Sequence, residues 1–465
     1  MILAAALLAA PLVFHADAGE FANVVYNVAC LAQQISCTTE KYERFWKEEL
    51  RWSPTDQREL ARWKAIVADG ERRAPAATSA PLLPNYLSYY PGLRFRQLII
   101  ATALDANSAG EFRRRAGRVV SAAEARALAS ALSHFQQRLH TWWERVGRAR
   151  VRSVRDVERA LTPARKDLAR RAAAFVHAAP DLTDVFMHVV PSPDVSNDEA
   201  TGTAVRNHFF MELVPPDTAK EPAADVGTMV VSIGLHELTH AFYDSAPVQV
   251  HRQIMQQFVD SSDALAPSFY TFLNEAIATA VQEMADDEPW SEAGGYRDAY
   301  IPRLGHAAVP LIADAMANGK TMSDGFVAGY LRNGREVLNQ DVDTLKFALS
   351  STAVIASEPM QSAVQQFRQA FSPRFTVSTQ AEWQTFGELN AVLLLDYGDA
   401  EQFTGHVPLL NTLRSHRGFA FLTGYKAKSR LLMLAGRDPP AVADVVARLA
   451  TMKTVPPNGV IFTID

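Results

Sequence analysis

Residues Thr228 to Tyr243 read TMVVSIGLHELTHAFY, an apolar run that carries His236-Glu237-Leu238-Thr239-His240. Apolar residues fall on nearly every side of a helix drawn through it, which fits a helix buried in the middle of a domain better than an amphipathic surface helix. On a helix, positions i and i+4 lie on one face a turn apart. His236 and His240 can therefore hold one Zn²⁺ between two neutral imidazoles, while Glu237 sits beside it as a base. A fold built round this segment must bury the helix and keep that one face polar.

Two ligands leave such a site incomplete, because a catalytic zinc takes three protein ligands and an open position. A continuation HExxHxxGxxH would need a glycine and a histidine at positions 243 and 246, where the chain has Tyr243 and Ala246. A Gly-Thr-x-x-Asp stretch does not follow His240 either. A second helical run, Ser268 to Glu283 (SFYTFLNEAIATAVQE), offers Glu275, 35 positions beyond His240. Glu275 is either a solvated surface carboxylate or the third ligand. Its neighbours Phe269, Phe272, Leu273, Ala276, Ile277 and Ala280 favour the ligand, since an unpaired charge among them is costly.

His236, Glu237 and His240, together with the pair Asn274-Glu275, resemble the gluzincins, the thermolysin-like HExxH zinc metallopeptidases, over about a quarter of the chain. Asn274-Glu275 stands where that family's NExxSD box begins. The box then breaks, because Ala278 and Thr279 occupy its Ser and Asp positions. In the family that Asp orients a histidine ligand, so here another acid has to do so, with Asp244 and Glu283 as candidates, or the relation is distant. We read a distant relative.

The resemblance implies a zincin-like catalytic domain, with Zn²⁺ on His236, His240 and Glu275. Its water, with a pKa lowered to about 7, would lose a proton to Glu237, which passes it to the leaving amine. Family members stabilise the oxyanion with a Tyr, His or Arg. Tyr296, Tyr300 and His306 follow the second helix in GGYRDAYIPRLGH. Tyr296 and Tyr300 share a face if a helix starts there, and Gly294-Gly295 would let the segment close over substrate. Packing in a core is the alternative for each of the three.

Two strand-like stretches precede the first helix, Asp184 to Val190 (DVFMHVV) and His208 to Val214 (HFFMELV), both ended by prolines. They suggest a small sheet beside the metal, with His208 to Val214 as the edge that pairs with an extended substrate. His188 and His208 lie in these strands and are read as core or surface residues, not ligands.

Residues 2 to 14 (ILAAALLAAPLVF) are apolar, and Ala16-Asp17-Ala18 before Gly19 resembles a small-residue cleavage site. Residues 1–18 are thus expected to be a signal peptide and the protein to be exported, periplasmic or secreted, although no Lys or Arg precedes the run. The run is too short to span a bilayer, and no other candidate span is present. Cys30 and Cys37 are the only cysteines. An oxidising compartment favours pairing them, but across one unbroken helix they would lie about 10 Å apart. Either a turn near Ser36 to Thr39 lets them bridge before a helix starting near Glu40, or they are two buried free thiols.

The 465 residues are 48% hydrophobic and 21% charged with a net charge of −5. That is enough chain for two or three domains, and nothing in the balance suggests a nucleic-acid partner. Arg113 to Arg115 and Arg145 to Arg171 are locally basic, with acids interleaved, which reads as a solvated helix face; contact with an anionic envelope surface is the other reading. The expected organisation is α+β and mostly helical. A helical N-terminal region, 19–178, is interrupted by the Pro-rich loop Ala74 to Pro91. A zincin-like catalytic domain, 180–335, is bounded by Pro180 and Gly334. A C-terminal α/β region, 336–465, contains NAVLLLD, GFAFLTG and GVIFTID as strands and PAVADVVARLATM as a helix. The expected activity is cleavage of peptide or protein substrates. The alternatives are a zinc amidase or esterase acting on a non-peptide substrate, and a zincin-fold binding protein with structural zinc or lost catalysis.

Overall fold

Every residue of the strand His208–Leu213 is buried, because its sheet is covered by helices on both faces. The computed structural model describes residues 12–35, 37–73, 95–179, 182–194, 201–213, 226–286, 300–339, 341, 344–350, 352–356, 358–371, 373, 375–377, 390–401, 409–424 and 430–465. These form a mostly helical α+β fold with two mixed sheets. The Pro-rich loop Ala74 to Pro91, Pro180, Gly294, Gly295 and Tyr296 lie outside the described residues.

The first strand is β1 (Val13–Asp17). Eight helices follow: α1 (Glu20–Leu31), α2 (Thr39–Glu48), α3 (Pro54–Arg73), α4 (Phe95–Leu104), α5 (Ala109–Ala116), α6 (Ala122–Arg145), α7 (Gly147–Ala160) and α8 (Pro163–Phe175). Local chemistry starts several of them. Ser121 and Glu124 form a capping box at α6, and Thr162 caps α8 ahead of Pro163. Tyr26, Trp46, Trp63, Phe112 and Phe135 fill the core among α1 to α6. Cys30 and Cys37 are bridged, with Cα atoms 5.9 Å apart. The bridge is possible because α1 ends at Leu31 and α2 starts only at Thr39, so no single helix holds the two apart.

The first sheet adds β2 (Asp184–Pro191), β3 (Thr201–Val205) and β4 (His208–Leu213) in the order β1-β2-β4-β3. β2 and β4 are the two strands expected from the sequence. β4, however, is not the edge: it lies between β2, to which it is parallel, and β3, with which it forms an antiparallel hairpin. The edge beside it is β3, a five-residue strand with Gly202 inside it. The other edge is β1, parallel to β2, so a cut before Gly19 would remove a strand of this sheet.

Alternation divides the sheet cleanly. Met187, Phe209 and Met211 face one core, while Val190 and Phe210 join the core of the N-terminal helices. The first of these cores holds α9 (Val226–Ser245), α10 (Val248–Asp260), α11 (Ala266–Ala285), α12 (Tyr300–Ala317) and α13 (Phe326–Leu338). Gly334, expected at a boundary, is inside α13; a Cβ there would meet the Phe269 ring at 2.6 Å, so it is a position where two helices approach closely.

After α14 (Leu345–Ser350), the remaining chain forms β5 (Thr352–Ala356), α15 (Gln361–Phe371), β6 (Phe375–Val377), β7 (Asn390–Asp396), β8 (Gly418–Gly424), β9 (Arg430–Gly436), α16 (Pro439–Ala450) and β10 (Gly459–Ile464). The sheet order is β10-β8-β9-β7-β5-β6. α15 and α16 cover one face, and the other packs with Met255 of α10 and Tyr270 of α11. Among the described residues no helix is long and apolar enough to cross a membrane.

One ion pair fastens the N-terminal helices to the first sheet. Lys41 of α2 donates to Glu212 of β4, both almost fully buried, and the Tyr26 hydroxyl donates to the same carboxylate at 3.4 Å. Breaking one side of a buried pair leaves a lone charge, which costs about 3–5 kcal/mol, whereas replacing both sides by apolar groups is close to neutral. Lys41→Met should therefore lower the urea midpoint strongly, and Lys41→Met with Glu212→Leu should recover most of the loss.

Candidate metal centre

α9 lies close against the first sheet because glycines remove the side chains between them. A Cβ at Gly234 would meet Phe209 at 3.0 Å, and one at Gly202 of β3 would come within 2.8 Å of Ile233 and 3.3 Å of the Glu237 Cγ. α11 packs on another side of α9. Between the two helices, His236, His240 and Glu275 form the group of three metal-capable side chains among the described residues, with their ligand atoms all within 4.8 Å of one another.

The separations test whether a metal fits. The two Nε2 atoms are 3.1 Å apart, and Glu275 Oε2 is 3.7 Å from His236 Nε2 and 3.6 Å from His240 Nε2. A tetrahedral zinc with bonds of about 2.0–2.1 Å sets its ligand atoms about 3.3–3.4 Å apart. The three edges bracket that value, and the donors are two imidazoles and one carboxylate. The group can hold a metal ion.

Neighbouring groups fix the rings. His240 Nδ1 donates to Asn274 Oδ1 at 3.0 Å, which leaves the Nε2 lone pair facing the other two ligands. The His236 ring is hydrogen-bonded to the Ala278 carbonyl and the Gln282 side chain. These partners replace the expected orienting acids. Glu283 accepts from His306 Nδ1 at 2.7 Å instead, and Asp244 Oδ1 is buried with no hydrogen-bond partner. A backbone carbonyl carries no mark in the sequence, whereas Asn274 was legible as half of the Asn-Glu pair.

Without a metal, the electrostatics already favour a cation. Burial pushes the His236 ring down to about 3, and the charge of His240 adds to that. For His240 burial opposes the charged form, yet the Glu275 and Glu237 carboxylates outweigh it and raise the ring to about 9. Burial lifts the Glu237 carboxyl to about 7, with His240 holding it down and Glu275 pushing it up. Two carboxylates thus surround room for one positive charge, which a proton takes when no metal does.

Glu237 shares the turn of α9 that carries both histidines and is half-buried beside β3. Of the residues expected to stabilise an oxyanion, Tyr296 lies outside the described residues, and Tyr300 and His306 make the following contacts. Tyr300 is buried at the start of α12, edge-on to Phe272 and Phe347 with ring centroids 5.8 and 5.2 Å away. His306 pairs with Glu283, two turns along α11 from Glu275 and so about 12 Å further along the axis. The structure thus brings together His236, Glu237, His240 and Glu275; the Tyr300 ring packs against Phe272 and Phe347, and His306 pairs with Glu283.

No family model, curated protein or solved structure matches this chain.

Removing an orienting partner of a ligand histidine costs about 10–100-fold in metal affinity. Asn274→Ala should weaken zinc binding by that factor in competition with a chelating dye, Asn274→Asp should retain it, and Glu283→Gln should leave it unchanged.

Proposed function

We propose that the chain is a zinc-dependent hydrolase, and specifically a metallopeptidase that cleaves peptide bonds. The observation that carries this reading is the convergence of His236, His240 and Glu275 on one point, with Glu237 on the same helical turn. Two imidazoles and one carboxylate are the ligand set of a catalytic zinc; structural zinc sites close with four protein ligands. The described residues supply three, which favours catalysis over a binding protein with structural zinc.

A bound zinc would act as a Lewis acid on a scissile carbonyl and lower the pKa of its water. The chain's own residues would do the rest. Glu237 would take a proton and deliver it to the leaving nitrogen. Asn274 and Gln282 would keep both imidazoles turned toward the site. β3, an edge strand of the first sheet among the described residues with Gly202 beside Glu237, is the strand to which an extended peptide would add. The Cys30–Cys37 bridge is in keeping with an oxidising compartment.

Glu237→Gln separates a hydrolase from a binder. The variant should keep about one zinc per chain and lose about a thousandfold in turnover of fluorescently labelled casein, the share a general base supplies. Full cleavage by the variant would remove Glu237 from the chemistry. A zinc-loaded wild type that cleaves neither casein nor a mixed peptide library would favour the binding-protein reading.

A further inference from the structure

The face of the first sheet turned away from α9 carries a second group of histidines, unrelated to the metal centre. His188 of β2 and His208 of β4 are 3% and 1% exposed. His188 Nε2 lies 3.0 Å from His208 Nδ1, His188 Nδ1 lies 3.2 Å from Asp17 Oδ2, and His208 Nε2 lies 3.1 Å from Asp105 Oδ1. The result is an unbroken chain, Asp17–His188–His208–Asp105. Its ends are the last residue of β1 and the residue just after α4. Phe186 stacks on the His208 ring at 4.8 Å and Phe210 on the His188 ring at 5.0 Å, so neither imidazole can swing away cheaply.

The protons in this chain can be counted. Carboxylates only accept, so the Asp17 contact needs a proton on His188 Nδ1 and the Asp105 contact needs one on His208 Nε2. The ring-to-ring contact needs one N–H facing one lone pair. Three contacts therefore require three ring protons, and two neutral imidazoles carry only two. With three, one ring is an imidazolium and every contact is made. With two, a lone pair faces a carboxylate or the other ring's lone pair. With four, two N–H groups oppose each other across 3.0 Å.

We propose that Asp17, His188, His208 and Asp105 form a one-proton latch that fastens β1 and the end of α4 to the sheet, and loosens when a second extra proton enters.

The surrounding charges agree. Asp17 and Asp105 are both held below the usual carboxylate range: burial raises each, but the bonds to His188 and His208 respectively outweigh it. Arg115 and Arg206 add positive potential at Asp105, and Arg206 also acts on His208. Of the other titratable groups described on this face, His15 pairs with Asp184 at 2.9 Å and Glu212 with Lys41, and Tyr26 and Tyr42 lie beside Glu212. α7 covers the opposite face of β1 and β2, packing through Val154 and Val157. Burial pushes His208 below its ordinary value, and His188 pushes it further, against the pull of Asp105. The latch holds one extra proton, whereas two free rings together hold more than one below their ordinary value near 6.5 and fewer than one above it, so the latch is tightest near pH 6.5. The latch therefore loosens on the acid side of about 6.5, as a second extra proton is taken up, and on the alkaline side, as the first is lost.

The test is amide hydrogen exchange in β1 and β2 of the full chain, produced without export and compared at pH 6.5 and 5.5 after correction for the intrinsic rate. Wild type should open about threefold more often at pH 5.5 than at 6.5, because over that interval the open rings take up between one and two extra protons and the latch holds one. In His208→Gln the amide can accept from His188 and donate to Asp105, so a protonated His188 meets no opposing N–H. That variant should show no acid opening. The proposal falls if wild type is insensitive to pH, or if His208→Gln opens as wild type does. Should the variant fail to fold, imidazole ¹⁵N spectra of wild type at pH 7 decide alone: three protonated nitrogens on the two rings support the latch, and two overturn it.

Discussion

The structure depends on how α9 can be buried. The helix is covered by the first sheet on one side and by α11 on another, with Val230, Val231, Leu235 and Leu238 in the apolar core. His236, Glu237 and His240 go in with it. Buried polar groups of this kind have to be paired, and α11 supplies the partners: Glu275 for both Nε2 atoms, Asn274 for His240, and the Ala278 carbonyl with Gln282 for His236. The packing of α11 on α9 and the satisfaction of the histidines are one constraint, and a metal-sized gap is its by-product.

The rest of the chain bears on that helix pair from outside. The first sheet backs α9, and the N-terminal helices cover the far face of the sheet, where Glu212 is neutralised by Lys41 and the two strand histidines are held by Asp17 and Asp105. The C-terminal sheet packs with Met255 of α10 and Tyr270, on the helix that carries Glu275.

Much of this was legible in the sequence, for identifiable reasons. Long apolar runs place α9 and α11 within two residues of their ends, and short strand-like stretches ended by prolines place β2 and β4. NAVLLLD and GFAFLTG coincide with β7 and β8. What escaped was short or ambiguous. β3 is five residues with a glycine, so β4 looked like an edge. β1 lies in an apolar N-terminal stretch that also reads as a leader. His188 and His208 are far apart in sequence and meet only because β2 and β4 are neighbours, so neither could be paired with the other or with Asp17 and Asp105 in advance. At the metal centre the three ligand-type residues could be named from spacing and surroundings. The orienting partners of His236 could not, since one is a backbone carbonyl and the other is a glutamine a full turn beyond it.

The central claim is that His236, His240 and Glu275 together bind one zinc. X-ray absorption at the zinc edge, on chelator-stripped protein reloaded with one equivalent, tests it most directly. The account predicts a first shell of nitrogen and oxygen at about 2.0–2.1 Å, with outer-shell scattering from two imidazoles and no sulfur, in a sample that retains its zinc through gel filtration. A sulfur shell near 2.3 Å, scattering from three or more imidazoles, or zinc lost on the column would contradict it.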